Sequence, residues 1–103
     1  MKRIFSVPVI GANGRTLVDK DGNPQLLSGM VAVGMFNLSE LNGAAVSPET
    51  KLKAWKIVTK MQAATPGVPV ELDAEELKLI DDVMGKAFTA GVYGQVKMII
   101  END

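Results

Sequence analysis

The chain has 103 residues, 47% of them hydrophobic and 22% charged, the composition of one globular domain. Eleven Lys and Arg against twelve Asp and Glu give a formal net charge of −1, so no overall basic field exists for nucleic acid or an anionic membrane surface. There is no cysteine and no histidine, which excludes disulfides, thiolate nucleophiles, imidazole bases and Cys/His zinc sites.

Lys2 and Arg3 precede a short apolar run from Ile4 to Ile10 with the outline of a signal peptide. Pro8 interrupts it, and no small-residue cleavage site follows before the Gly11-Ala12-Asn13-Gly14 turn, so the segment reads as a strand. Ile4, Phe5, Val7, Val9 and Ile10 are mostly β-formers, and Thr16-Leu17-Val18 offers a second short strand. In Asp19-Lys20-Asp21-Gly22-Asn23-Pro24, Asp-Gly supplies the positive φ of a tight turn and Pro24 stops a central strand from resuming. Residues 1–25 are therefore expected to form a β-hairpin region.

Residues 26–41 are an apolar segment whose middle, 30–36, suits a buried strand or a buried helix of similar length. Leu27, Met30, Val31, Gly34, Met35 and Leu38 recur at spacings of three and four, with Ser28 or Asn23 as N-cap, which favours a helix. Asn42-Gly43-Ala44-Ala45 reads as a surface loop.

Residues 47–101 read as a three-helix region. Ser47 is a good N-cap, Pro48 fits the first helical position and Glu49 complements the helix dipole. Leu52, Trp55, Val58 and Met61, flanked by Ala54 and Ile57, make an apolar face, and Lys51, Lys53, Lys56 and Lys60 fill the remaining positions. Thr65-Pro66-Gly67 ends that helix. The next one opens on Asp73 with Glu76 three residues later, a capping box, and with Leu72 and Leu77 placed as a hydrophobic staple. Its buried stripe is Leu77, Ile80, Met84, Ala87 and Phe88. Val92, Val96, Ile99 and Ile100 predict a fourth helix packed on the third, with Glu101-Asn102-Asp103 frayed. No internal repeat, low-complexity tract or linker splits the chain. Residues 1–103 are read as one α+β domain, a short N-terminal β-hairpin followed by three or four packed α-helices.

Asp19, Asp21 and Asn23 imitate the first ligands of a calcium loop, but Pro24 stands where its glycine belongs and Met30 where its bidentate Glu belongs. No metal site is expected there. Gly11 to Arg15 lacks the ending of a phosphate-binding loop and reads as a turn. Glu71, Asp73, Glu75, Glu76, Asp81 and Asp82 are accounted for by capping, the helix dipole and solvation, and they lack partners for acid/base work. No catalytic residue and no cofactor is expected. Met30, Met35, Met61, Met84 and Met98 are assigned to apolar core faces.

A charge contrast remains. Residues 47–62 carry four Lys and one Glu, whereas residues 71–82 carry six acidic residues and only Lys78. Mutual attraction of two neighbouring helices accounts for it simply; the functional reading is a Lys face that meets an acidic partner or a phosphate-bearing small molecule. Trp55, lying among lysines, is the first residue expected to touch a partner.

Residues 52–61, 70–80 and 92–96 together resemble a loose group of small proteins encoded in bacteriophages and prophages, in which a hairpin with an Asp-Gly turn precedes three helices. The likeness spans most of the chain and rests on caps and packing patterns. The central segment, with Gly29, Gly34 and no charge, departs from the more polar helix of that pattern. The resemblance implies a phage origin and a place in the cytoplasm of the bacterial host or on the virion, and it brings no catalytic residues.

The expected function is that of a non-enzymatic, phage-derived binding protein working through protein contacts as a homo-oligomer, in virion assembly or by blocking a host factor. Its surface would join the apolar segment Met30 to Phe36, with Met35 and Phe36 among its members, to Trp55 and the lysine face of Lys53, Lys56 and Lys60. The alternative is an oligomer that sequesters an anionic small molecule such as a nucleotide signal, with Lys53, Lys56, Lys60 and Arg15 as phosphate contacts. Neither nucleic acid nor a membrane is an expected partner, since no stretch reaches the roughly 18 to 20 apolar residues of a bilayer span.

Overall fold

Single backbone bridges, rather than strands of any length, shape the first quarter of the chain. The computed structural model describes residues 1–101 and has an α+β fold. Residues 8–26 close into a small ring: Val9 N–H donates to the Gln25 carbonyl at 2.8 Å, Leu17 N–H to the Val9 carbonyl at 2.9 Å, and Gln25 N–H to the Leu17 carbonyl at 2.9 Å. Pro8 bridges Leu26, Ile10 bridges Thr16 and Val18 bridges Pro24. Equivalent positions, 9, 17 and 25, lie eight residues apart, so the ring is pseudo-threefold.

The two turns that link its sides match as well. Gly14 N–H donates to the Gly11 carbonyl as Gly22 N–H does to Asp19, and Gly11 N–H donates to Arg15 as Asp19 N–H does to Asn23. Gly14 and Gly22 sit at φ of 78° and 82°, the left-handed region expected of Asn-Gly and Asp-Gly turns. Asp19 Oδ1 accepts the N–H groups of Asp21 and Asn23, both at 2.9 Å, so this carboxylate is committed to the turn. The hairpin region is thus a three-sided ring built on an eight-residue repeat, one too short to divide the domain.

Strand β1 (Lys2–Arg3) pairs antiparallel with β4 (Val70–Glu71), Lys2 opposite Glu71 and Arg3 opposite Val70. Helix α1 (Leu27–Phe36) occupies the ambiguous apolar segment, ending before residue 41. Neither Ser28 nor Asn23 caps it: Leu26 holds the N-cap position with no side-chain hydrogen bond. Leu27 and Ser28 donate their N–H groups to the Val7 and Phe5 carbonyls instead, so the N-terminal arm satisfies donors that a cap would otherwise take. Residues 42–45, read as a loop, belong to a hairpin of β2 (Glu40–Leu41) and β3 (Ala44–Ala45), turned by Asn42 at φ 56° and Gly43 at φ 80°.

Helix α2 (Pro48–Ala63) begins at Ser47, whose side chain accepts Thr50 N–H at 3.1 Å. Its inward face is Ala54, Ile57, Val58 and Met61, while Leu52 and Trp55 lie outside, a rotation from the predicted face. Helix α3 (Ala74–Ala87) carries the predicted capping box: Glu76 N–H donates to Asp73 Oδ1 at 2.7 Å, and Asp73 N–H donates to Glu76 Oε1 at 3.0 Å. Leu72 and Leu77 are both buried, as a staple requires. Leu79 and Val83 join Leu77, Ile80 and Met84 inside, whereas Ala87 is exposed and Phe88 half-buried.

Helix α4 (Ala90–Glu101) packs on α3. Glu101 is still helical; the expected fraying of Asn102 and Asp103 lies outside the described residues. Met98 is 75% exposed, so it leaves the core to which its spacing assigned it. The Gln95 side chain clips α4 to the ring, accepting Ile10 N–H and donating to the Ile10 carbonyl, each at 2.9 Å. One core runs through the arm and all four helices, with Phe5, Val31, Ile57, Ile80 and Val96 fully enclosed. Ser6 is buried beside it, and its hydroxyl has no hydrogen-bond partner among the described residues. No helix among the described residues is long and apolar enough to cross a membrane.

A polar clasp fastens α4 to α3. Tyr93 OH donates to Asp81 Oδ1 at 2.6 Å and Lys97 Nζ to Asp81 Oδ2 at 2.7 Å. The Tyr93 ring lies against Gly85, where a Cβ would come within 3.3 Å of it. Burial pushes the Asp81 carboxyl up, but hydrogen bonds from Lys97 and Tyr93 and the Lys97 charge outweigh it and hold the group below its ordinary value of 3.8. The bond to Asp81, and then burial, raises Tyr93 above its ordinary 10.0. The Asp81 contribution to stability is therefore fully present above 3.8 and fades as pH falls through the lower folded value. That of Tyr93 is fully present below 10.0 and fades as pH rises through the higher folded value. Tyr93 is the sole tyrosine, so tyrosinate absorbance reports it alone. Asp81→Asn is expected to bring its titration midpoint down toward the ordinary value; an unmoved midpoint would mean the clasp does not hold in solution.

Candidate functional site

Helix α1 has no charged residue from Leu27 to Phe36. Because Leu27, Ser28, Val31, Gly34 and Met35 face the core, the helix turns Gly29, Val33 and Phe36 outward and presents water with no polar side chain along that line. Helix α2 packs beside it and leaves Leu52 and Trp55 outside the core. Val33 is 55% exposed, Phe36 68%, Leu52 55% and Trp55 49%. The Phe36 and Trp55 rings meet with centroids 6.3 Å apart and planes tilted by 59°, a favourable aromatic geometry that joins the two helices into one patch. Asn37 closes the end of α1 by donating from Nδ2 to the Val33 carbonyl at 2.9 Å.

An apolar cleft of about 460 Å³ continues from Val33 between the end of α1, the β2–β3 hairpin and the end of α3. Leu38, Leu41, Val83 and Phe88 line it, with Lys86 and Glu40 as its charged members. Val33 therefore belongs both to the exposed patch and to the cleft wall.

On the other flank of α2 a smaller cleft of about 290 Å³ gathers Glu49, Leu52, Lys53, Lys56, Lys60, Asp73 and Glu76. Its lysines are largely spoken for. Lys60 Nζ donates to both Glu76 oxygens at 2.8 and 2.9 Å and to the Glu71 carbonyl at 3.1 Å. Lys53 is bonded to Glu75, whose hydrogen bond and charge raise the lysine above its ordinary value against the opposing pull of burial. The charge contrast seen in the sequence thus zips α2 to the start of α3. Lys56 and Glu49 have no ion-pair partner among the described residues.

The structure brings Phe36 and Trp55 together, and places Lys53, Lys56 and Lys60 in one cleft. It does not bring in Met35, which is 2% exposed and packed in the core, or Arg15, whose place is the first turn of the ring. Val33 lies within the segment Met30 to Phe36 expected at the surface, whereas Leu52 and Glu49 are surface members that sequence reasoning missed. Among the described residues no group of three or more carboxylates gathers as a metal site would need. Comparison with protein-family models, with curated proteins and with solved structures finds no match to this chain.

Proposed function

We propose that this chain is a non-enzymatic binding protein that acts through protein contacts, and that Val33, Phe36, Leu52 and Trp55 form the centre of its contact surface. The observation that carries the reading is the continuity of that uncharged, water-exposed patch across two helices. Packed aromatic and aliphatic side chains surrounded by a polar rim are the usual anatomy of an interface core. We propose further, on the resemblance to small phage and prophage proteins alone, that this work is done in the bacterial cytoplasm, in virion assembly or against a host factor. The anionic-ligand alternative is less well supported, because two of its three clefted lysines, Lys53 and Lys60, are already paired with Glu75 and Glu76.

A photo-crosslinking amino acid at position 36, in cells that make the protein, tests the reading. One discrete polypeptide adduct is expected, and it should fade when Trp55→Ser is added. Equal labelling from position 36 and from a control in the ring turn, Lys20, would overturn it. Native mass spectrometry of the same material would detect a retained small molecule if the alternative holds.

A further inference from the structure

The outer face of α2 carries an unusual symmetry of charge. Glu49, Leu52 and Lys56 follow one another at spacings of three and four, so they share one side of the helix. All three are exposed, and among the described residues the two charged ones have no ion-pair partner while the neighbouring Lys53 and Lys60 are paired. At 1.5 Å per residue, Glu49 and Lys56 stand roughly 10 Å apart along the axis with Leu52 near the midpoint.

We propose that α2 pairs antiparallel with α2 of a second copy of this chain, across a twofold axis near Leu52. This rests on the protein-contact reading and names its first partner. Antiparallel pairing sets Glu49 of each copy opposite Lys56 of the other, forming two equivalent ion pairs, one on either side of the axis. Leu52 of both copies meets at the centre. Trp55 sits about 60° further round the helix, on the side that rests against Phe36, so the same approach covers the aromatic pair in both copies. An isologous contact needs such a self-complementary surface. A parallel arrangement would set Glu49 against Glu49, and an acidic partner protein would meet Glu49 at one end of its footprint. The face suits its own copy better than either.

Sedimentation of the purified chain is expected to show a dimer with a dissociation constant in roughly the micromolar range, as a small helix-pair interface would give. Glu49→Lys and Lys56→Glu should each weaken it by about tenfold or more, since each creates like-charge contacts on both sides of the axis. Mixing the two variants should restore dimerisation as a heterodimer, because each then supplies the charge that the other lacks. Recovery on mixing also shows that both variants are folded. A monomer up to about 200 μM overturns the proposal, as does a dimer indifferent to both substitutions or one that mixing fails to rescue. A monomer that still gives a crosslink from position 36 to a different polypeptide would remove the self-pairing and leave the protein-contact reading standing.

Discussion

Phe5→Ala is expected to lower the free energy of unfolding by about 3–5 kcal/mol, the range for emptying a fully enclosed phenylalanine site. A domain of this size holds about 5–15 kcal/mol in total, so the variant should be largely unfolded at modest denaturant concentration. Phe5 lies in no regular element, yet it is 0% exposed and belongs to the same cluster as Leu27, Val31 and Ile80. Its carbonyl also accepts N–H groups from Val7 and Ser28, both at 2.8 Å, so the residue positions the start of α1 as well as filling the core. Its neighbour Ile4, 38% exposed, supplies the contrast: Ile4→Ala should cost within about 1 kcal/mol. Urea unfolding followed by the fluorescence of Trp55, the sole tryptophan, measures both. Equal small losses would mean that the N-terminal arm is not part of the cooperative core.

How far such features were legible in the sequence depends on whether their cause is local. The starts of α2 and α3 were, because Ser47, Pro48, Asp73 and Glu76 act on backbone groups within one turn. Which side of α2 faces inward was not. Leu52, Trp55, Val58 and Met61 keep helical spacing, but Ala54 and Ile57 mark a second, overlapping face, and only packing against α1 decides between them. Met98 was lost in the same way: α3, α1 and the ring leave one side of α4 uncovered, so an apolar residue there stays in water. The ring escaped because its period of eight matches neither helix nor strand, and each of its sides pairs through a single bridge. Of the surface, Trp55 and Phe36 were anticipated, the first from its setting among lysines and the second from the charge-free segment. The internal pairing of Lys53 and Lys60 was weighed as the simpler reading of the charge contrast, but which lysines it would consume depends on the angle at which α3 meets α2.

Glu76 ties that helix contact to stability, and Glu76→Ala should cost about 2–3 kcal/mol. Two losses combine. Asp73 N–H loses its acceptor at 3.0 Å, one half of the capping box and worth about 1 kcal/mol. Lys60 loses a carboxylate held by two bonds, and Glu76 is only 6% exposed, so the pair is sheltered on the acid's side. Breaking a fully buried pair costs about 3–5 kcal/mol; here the lysine side chain is 38% exposed, so water and the Glu71 carbonyl take over part of its solvation and the loss is smaller. A double-mutant cycle with Lys60→Met separates the terms, and a coupling of about 1–2 kcal/mol is expected between the two positions. A coupling near zero would assign the whole effect to the cap.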